Sequence, residues 1–234
     1  MSVVAPSHAA PSRPSPLARL QRLLTTTIGL KIVMAVTGVG LCLFVLGHMI
    51  GNLQVFQGSG PLNDYAKLLR KEPALLWSAR LGLLAAVGLH IYASIVLSRK
   101  NLASRAVGYR LVAHRESSYA SRSMMLTGPL VLAFIIFHIL HLTTGTVHPD
   151  YHDGDVYANL VSGLKVVWVS AFYLLAMGSL ALHLWHGVWS LFQTLGASQP
   201  RYRSFGRRFA TGFTLLVVLG FAAIPLAVLA GIVH

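Results

Sequence analysis

The sequence predicts an all-α membrane protein, a bundle of five transmembrane helices. Of its 234 residues, 55% are hydrophobic and only 11% are charged, which is about half the charged fraction of an ordinary soluble domain. Five separate segments each hold the roughly 20 mostly apolar residues that a helix needs to cross a bilayer. The single cysteine, Cys42, excludes an internal disulfide, a Cys-rich zinc site and a thiolate iron–sulfur site.

The five predicted spans follow a polar amino-terminal tail. Residues 1–27 are rich in Pro, Ser and Arg and lack an apolar core, so they are predicted to be a flexible cytoplasmic tail and not a signal peptide. Residues 28–234 are predicted to be the membrane domain, with spans at residues 28–53, 75–98, 124–144, 166–192 and 209–233. Of the connections, residues 61–71 (PLNDYAKLLRK) could form a short surface helix. Residues 148–155 (HPDYHDGD) are interpreted as a solvated polar turn, with weak metal binding as the alternative.

Basic residues predict the orientation of the bundle. Fourteen of the nineteen Lys and Arg residues lie in the tail, at the start of the first span, and in the second and fourth connections, whereas five of the six acids lie in the other two connections. Because Lys and Arg are retained on the cytoplasmic side, we expect the amino terminus inside and His234 outside. The formal charge of +13 is therefore ascribed to topology and to contact with anionic lipid or a cytoplasmic partner, not to nucleic acid.

Histidines are the main ionisable residues inside the spans. Such residues are costly in a membrane and indicate a function by default. A single histidine on a helix face is more often a packing residue, but here four consecutive spans carry at least one. The set comprises His48, His90, His138, His141, His183 and His186.

These histidines fall into two predicted layers. Counted from the nearest basic residue or turn at the inner boundary, His48 and His138 lie ~25 and ~24 Å deep, so they share an outer layer. His90 and His183 lie ~13 and ~19 Å from the inner boundary and can share an inner layer. Two layers with two imidazoles each can hold two stacked b-type haems, each iron ligated by histidines from two helices.

The choice of ligand within two spans stays open at this point. His138 and His141 are spaced i, i+3, as are His183 and His186, so each pair lies roughly on one helix face and only one member need bind iron. Small residues near the ligands would allow close approach of a macrocycle, although glycine is common in membrane helices anyway. The glycines concerned are Gly47, Gly51, Gly88, Gly128, Gly178 and Gly187.

Five segments in this order also carry a family resemblance. They are IGLKIVMAVTG (28–38), GHMIGNL (47–53), GLHIYASIVLSRKN (88–101), SMMLTGPLVLAFIIFHILH (123–141) and HLWHGVWSLFQTLG (183–196). From about residue 25 to the carboxyl terminus, the chain resembles the cytochrome b558-type membrane anchor subunit of succinate dehydrogenases and fumarate reductases, in its single-chain, five-helix, di-haem form.

The resemblance implies specific ligands. The family's first and second ligands fall on His48 and His90, the third on His138 and the fourth on His183. The family pairs the first with the third and the second with the fourth, which agrees with the depths calculated above. His141 and His186 are then the second choice, as neighbours of a haem or quinone or as ordinary packing residues.

The resemblance also implies cofactors and partners. The chain would be the non-catalytic subunit of a succinate:quinone oxidoreductase of the tricarboxylic acid cycle, in a bacterial cytoplasmic membrane. Two haem b groups would carry electrons between an iron–sulfur subunit and menaquinone or ubiquinone. FAD and iron–sulfur clusters would belong to the flavoprotein and iron–sulfur subunits on the cytoplasmic face. The sequence itself contains no Gly-rich dinucleotide motif and no Cys cluster that could hold them.

Two other functions remain as alternatives. One is a haem-free, quinone-binding anchor of the same complex, which the matched histidine depths disfavour. The other is a small proton-coupled transporter, disfavoured by the odd number of spans and the lack of repeats and buried acids. A quinone site needs polar groups beside an apolar cleft. The candidates for it are Asn52, Gln54, Asp64, Tyr65, Lys67 and His141 near the outer layer, and Arg22, Thr26, Lys31, Trp189 and Gln193 near the inner face.

Overall fold

The computed structural model describes residues 15–103, 119–194, 196 and 199–234. In these residues the chain is mostly helical and contains no β-strand. The helices are α1 (Pro16–Thr25), α2 (Thr27–Asn52), α3 (Ser59–Arg70), α4 (Pro73–Ala103), α5 (Tyr119–Leu142), α6 (Val156–Lys165), α7 (Val167–Thr194) and α8 (Pro200–Leu229), with a 3-10 turn, Leu53–Gln57, after α2.

Five of these helices, α2, α4, α5, α7 and α8, are long and apolar enough to cross a membrane. Their surfaces carry large apolar side chains that a soluble protein would not leave in water: Leu84 is 70% exposed, Met125 71% and Leu219 62%. Lipid contact explains this exposure. The predicted all-α fold class and the number of spans are confirmed, and the chain is a multi-pass membrane protein.

The spans extend further than their apolar stretches. Helix α4 ends at Ala103, beyond the predicted limit of residue 98, and α8 begins at Pro200, nine residues before its predicted start. Proline is favoured at the first position of a helix because its missing N–H would have no partner there. Hydropathy locates only the apolar part of a helix, so the polar ends of α4 and α8 were left out of the predicted spans. The predicted cytoplasmic residues Arg105, Arg110 and Arg115 lie outside the described residues.

Part of the predicted flexible tail is helical. Residues 16–25 form α1, whose first turn is capped by the Ser15 hydroxyl accepting from the Ala18 N–H at 3.2 Å. Leu17, Leu20 and Leu23 are exposed along this helix. Such an amphipathic helix beside a span is typical of a segment that lies in the membrane interface. Residues 1–14 lie outside the described part of the chain.

A sharp corner joins α1 to α2. Thr26 has extended backbone angles (φ −81°, ψ 152°), and its hydroxyl accepts from the Gly29 N–H at 3.1 Å to cap α2. Helix α4 binds the carbonyl groups left free at the end of α1. The Tyr92 hydroxyl donates to the Leu24 carbonyl at 3.1 Å, and the Lys100 ammonium donates to the Thr25 carbonyl.

Two short helices pack together in the connections at one end of the bundle. Helix α3 was predicted, whereas α6 was not, because its ten residues are too short to register as a separate apolar stretch. Asp155 caps α6: its carboxylate accepts from the Ala158 N–H at 3.0 Å and from the Asn63 amide of α3 at 2.9 Å. These hydrogen bonds hold the pKa of Asp155 below its ordinary value. The Asn63 carbonyl oxygen in turn accepts from the Tyr157 N–H at 3.0 Å.

The largest apolar core lies at this end of the bundle. It joins the 3-10 turn, α3, α6, the first part of α7 and the last part of α8. We call it the end core, and it comprises Val55, Leu62, Leu160, Val161, Leu164, Val169, Tyr173, Ile224, Ala227, Val228 and Val233. Elsewhere α2 packs on α4, and α7 packs on both α5 and α8, while α4 makes few contacts with α5 and α7 in the described residues. The end core therefore fixes the position of the start of α7.

Candidate functional site

The six histidines of the spans lie on four helices, and the structure sorts them into two facing pairs and two others. His48 is on α2, His90 on α4, His138 and His141 on α5, and His183 and His186 on α7. The pairs are His48 with His138 and His90 with His183. These are the pairs that the depth calculation and the family resemblance predict.

The His48/His138 pair joins α2 to α5. The two ring centroids are 5.8 Å apart and the rings meet edge to face, at 84°. Aromatic side chains surround them. Phe44 stacks on His48 with centroids 5.3 Å apart, Phe221 of α8 lies 5.9 Å from His48, and Phe134 lies 5.7 Å from His138. Because these neighbours are apolar rings, the pair lies in the kind of environment that a flat hydrophobic cofactor needs.

The His90/His183 pair joins α4 to α7. Its ring centroids are 6.3 Å apart, with the planes inclined at 57°. Glycines allow other helices to approach these rings. A Cβ added at Gly38 of α2 would lie 3.6 Å from Cε1 of His90, and one at Gly128 of α5 would lie 4.0 Å from Cε1 of His183. Four helices therefore meet around this pair.

The ring separations are compatible with two imidazoles on one metal ion. An imidazole nitrogen lies about 2 Å from a metal that it binds and about 1 Å from its own ring centre, so rings on opposite sides of one ion have centroids about 6 Å apart. The measured values of 5.8 and 6.3 Å are close to this distance. Each pair offers two protein ligands, which is the donor set that an iron in a macrocycle requires and fewer than an isolated ion takes.

The six glycines noted in the sequence differ in their surroundings. A Cβ added at Gly47, Gly88, Gly178 or Gly187 would meet no described atom within 4 Å, whereas at Gly51 the ring of Tyr65 fills the space. These four glycines are exposed, so the open space at their Cβ positions is at the surface of the described helices, whereas Gly128 borders His183. The residues present fit haem b through their donors, because each layer has two imidazoles that face one another and apolar rings surround the His48/His138 pair.

His141 has a different environment from His138. It is only 1% exposed, and it stacks between two aromatic rings, on His148 with centroids 4.8 Å apart and on Phe137 at 5.4 Å. Its Nε2 has no hydrogen-bond partner among the described residues. His186 lies about one turn beyond His183 on α7, and its buried Nδ1 also has no described partner. Neither ring forms a facing pair across the bundle.

The sequence predicted that residues 148–155 form a solvated turn, but part of this segment is buried. His148 is only 8% exposed. Its Nε2–H donates to the Asn159 carbonyl at 2.9 Å, and its Nδ1 accepts from the Asp150 N–H at 3.1 Å. Stacking on His141 and these two bonds bury the ring, so for His148 the prediction was wrong. In the described part of the chain, no three His, Cys, Asp or Glu side chains come together to hold a metal ion.

Two hydroxyl groups contact the paired histidines, and sequence reasoning missed both. The Thr37 hydroxyl of α2 lies 3.1 Å from Nδ1 of His90. The Tyr173 hydroxyl of α7 lies 3.2 Å from Nδ1 of His138 and 3.1 Å from Nδ1 of His141. Both could have been found from the sequence, because each lies inside an apolar span and a buried hydroxyl needs a hydrogen-bond partner.

Several of the quinone candidates near the His48/His138 pair have structural contacts. The Asn52 amide donates to the His48 carbonyl at 2.7 Å and lies 3.3 and 3.4 Å from the two ring nitrogens of His48. Asp64 and Lys67 form an exposed ion pair at 3.1 Å on α3. Tyr65 packs against Gly51. Of these residues, Asn52 is the one that touches a paired histidine.

The candidates near the other face are similarly engaged. Thr26 caps α2, and Trp189 is buried with the Arg207 guanidinium 5.3 Å above its ring. A groove between α2 and α7 is lined by Ala35, Val36, Val39 and Leu191. Because all four are apolar, this groove offers no side-chain hydrogen bond to a quinone carbonyl. The position of a quinone site therefore stays a prediction.

Comparison with known proteins yields no match to this chain, whether with family models, curated proteins or solved structures.

Proposed function

We propose that the chain is the membrane anchor and di-haem cytochrome b subunit of a succinate:quinone oxidoreductase. The observation that carries the proposal is the pairing of four histidines from four helices into two facing sets, with ring centroids 5.8 and 6.3 Å apart. Histidines that only pack in the bundle need not face a second histidine on another helix. Histidines that hold two haems must do so, because each iron would be held by two histidines from different helices.

Each pair would hold one haem b. His48 and His138 would hold the iron of one haem, and His90 and His183 the iron of the other. Bound there, haem b would supply a one-electron carrier. The chain's own contribution is to hold each pair of imidazoles at a fixed separation and to surround them with apolar side chains such as Phe44 and Phe134. Such surroundings exclude water and tune the reduction potential.

The proposed partners follow from what the chain lacks. With one cysteine and no Gly-rich dinucleotide motif, FAD and iron–sulfur clusters would belong to the flavoprotein and iron–sulfur subunits, where the dicarboxylate is oxidised or formed. The exposed basic residues Arg99, Lys100, Arg201 and Arg208 at the ends of α4 and α8 would face these subunits on the cytoplasmic side of a bacterial cytoplasmic membrane. Menaquinone or ubiquinone would be the membrane substrate.

A haem count tests the proposal. The chain is purified from membranes with its associated subunits, and a dithionite-reduced minus oxidised spectrum is recorded together with a pyridine haemochrome assay. We expect two haem b per copy of this chain. Absence of haem from a complex that still oxidises succinate with quinone would overturn the di-haem proposal and favour the haem-free anchor.

Complex membership is tested separately. An affinity tag on this chain should copurify a flavin-containing subunit, detected by flavin fluorescence, and an iron–sulfur subunit, detected by electron paramagnetic resonance. Two haems without either partner would leave a di-haem cytochrome but contradict its assignment to this complex. Reporter fusions after residues 103 and 234 check the predicted orientation, since a periplasmic phosphatase should be active at the second site and not at the first.

A further inference from the structure

The two hydroxyls that contact the paired histidines are arranged crosswise. Helix α2 carries His48 of one pair and, eleven residues earlier, Thr37, which contacts His90 of the other pair. Helix α7 carries His183 of one pair and, ten residues earlier, Tyr173, which contacts His138 of the other pair. At a rise of ~1.5 Å per residue, these separations are ~16 and ~15 Å along the two helices. Each of these helices thus serves both histidine pairs.

The direction of the Thr37 bond follows from its other contacts. A threonine hydroxyl has one proton to donate. Its other contacts are the Val33 carbonyl at 2.7 Å and the Met34 carbonyl at 3.2 Å, and a carbonyl can only accept. These carbonyls take the hydroxyl proton, so the Thr37 oxygen accepts from His90. The proton of a neutral His90 then lies on Nδ1 and leaves Nε2 with a free lone pair.

The Tyr173 hydroxyl lies between two imidazoles. Because it has a single proton, it can donate to only one of their Nδ1 atoms, and the other Nδ1 must carry a proton to bond to it. The hydroxyl lies within hydrogen-bond distance of Nδ1 of His138 and Nδ1 of His141. It can donate to one and accept from the other. If His138 ligates iron through Nε2, its proton is on Nδ1 and is donated to Tyr173, whose own proton is then donated to His141.

We propose that Thr37 and Tyr173 are positioning residues, which hold His90 and His138 with a proton on Nδ1 and a free Nε2 for the iron. This inference rests on the proposed function. It also gives His141 a role, because His141 accepts the Tyr173 proton and so directs the Tyr173 oxygen toward His138. A hydroxyl that donates is a better acceptor, so the three groups strengthen one another.

A hydrogen bond of this kind has a measurable effect on a ligated iron. Donation from Nδ1–H makes the ligating nitrogen more basic and stabilises the oxidised iron, which lowers the reduction potential. Loss of the bond should therefore raise the midpoint potential of the affected haem and leave the other unchanged. Removal of such a partner also typically weakens metal binding by about 10- to 100-fold.

The test uses the complete complex isolated from membranes. Haem potentials are measured by a redox titration followed at the haem b absorption band, and each haem is assigned by its loss in His138→Ala or His90→Ala. Tyr173→Phe should raise the potential of the haem lost in His138→Ala, and Thr37→Val that of the haem lost in His90→Ala. Haem transfer to an excess of an acceptor protein should be faster for the same haem in each variant.

Matched variants separate a positioning role from general disturbance. Thr37→Ser keeps the hydroxyl and should restore the wild-type potential. Tyr151→Phe removes a tyrosine hydroxyl that donates to the Thr143 carbonyl at 3.0 Å and not to a histidine, while it keeps the ring, so it should change neither potential. His141→Leu should shift the same haem as Tyr173→Phe, in the same direction but by less.

The outcomes are distinguishable from failure of the proposed function. A wild-type complex without haem would overturn the proposed function itself. Two wild-type haems with unchanged potentials in Thr37→Val and Tyr173→Phe, or with both potentials shifted equally by either change, would overturn the positioning role alone. If Tyr173→Phe does not assemble, the positioning role is tested with the other variants. These are Thr37→Val compared with Thr37→Ser, and His141→Leu.

Discussion

Gly163 of α6 lies directly against the imidazole of His141 on α5. A Cβ at residue 163 would lie 2.6 Å from Cε1 of His141, and 2.8 Å from Nε2 of the stacked His148. Helix α6 can therefore approach the two rings only because residue 163 has no side chain. Helix α6, which contributes Leu160, Val161 and Leu164 to the end core, therefore contacts His141 at this glycine.

Gly163→Ala should destabilise the protein. The added methyl group collides with two rings that are packed against each other, and overpacking of this kind costs about 1–3 kcal/mol. Thermal unfolding of the purified protein in detergent, followed by circular dichroism, measures the loss. Gly212→Ala on α8 is the control, since its Cβ would meet no described atom within 4 Å. Equal melting temperatures for the two variants would contradict the contact.

Substitution of either histidine of a pair should remove the same single haem. His48→Ala and His138→Ala should each lower the haemochrome count from two to one, and they should remove the same haem, because each leaves one iron with a single axial ligand. Their double variant should retain one haem. His90→Ala should remove the other haem, recognised by its different potential in a redox titration.

The neighbouring histidines provide the matched controls. His141→Ala and His186→Ala should each retain two haems per chain, because neither ring faces a partner histidine across the bundle. If either variant lost a haem while His138→Ala or His183→Ala kept both, the assignment of the ligand within that helix would be reversed.

Asp155→Ala should weaken the link between α3 and α6. Loss of a side-chain cap at a helix amino terminus costs about 1 kcal/mol, and the bond to the Asn63 amide is lost as well. Because folding lowers the pKa of Asp155 below its ordinary value of 3.8, its contribution is complete above that pH and is lost as the pH falls below it.

The pH dependence of unfolding checks this sign. The difference in melting temperature between wild type and Asp155→Ala should be constant from pH 7 to about 5 and shrink as the pH falls through the ordinary range of an aspartate. Asp153→Ala, at an exposed neighbour in the same connection, should change little at any pH. A difference that grows on acidification would contradict the assignment.

Gly29→Ala should release α1 from the bundle. A Cβ at residue 29 would lie 2.5 Å from the Leu23 Cα and 2.6 Å from the Arg22 carbonyl oxygen, and backbone atoms cannot move aside as a side chain can. We expect amide hydrogen exchange in residues 16–25 to accelerate by about fivefold or more, the equivalent of roughly 1 kcal/mol. Gly40→Ala, on the same helix with open space at its Cβ, should leave exchange there unchanged.

The number of spans and the helix bearing each histidine were readable from the sequence. Crossing a bilayer depends on the apolar content of about 20 consecutive residues, which is a local property of the chain, and the five spans of the fold confirm that prediction. A short surface helix at residues 61–71 was also predicted, and α3 (Ser59–Arg70) confirms it. Helices α1 and α6 were missed because a short helix depends on its neighbours for stability, and here on the corner at Thr26 and the Asn63 contact.

The tertiary structure distinguished His138 from His141, a choice that helix geometry alone left open. Residues spaced i, i+3 differ by about 60° around a helix and ~4.5 Å along it, so the sequence could not separate His138 from His141. In the fold, His138 faces His48, whereas His141 stacks on His148, which lies in the connection that directly follows α5. The bridging hydroxyl of Tyr173 was equally hidden, because its contact with His138 depends on the packing of α5 against α7.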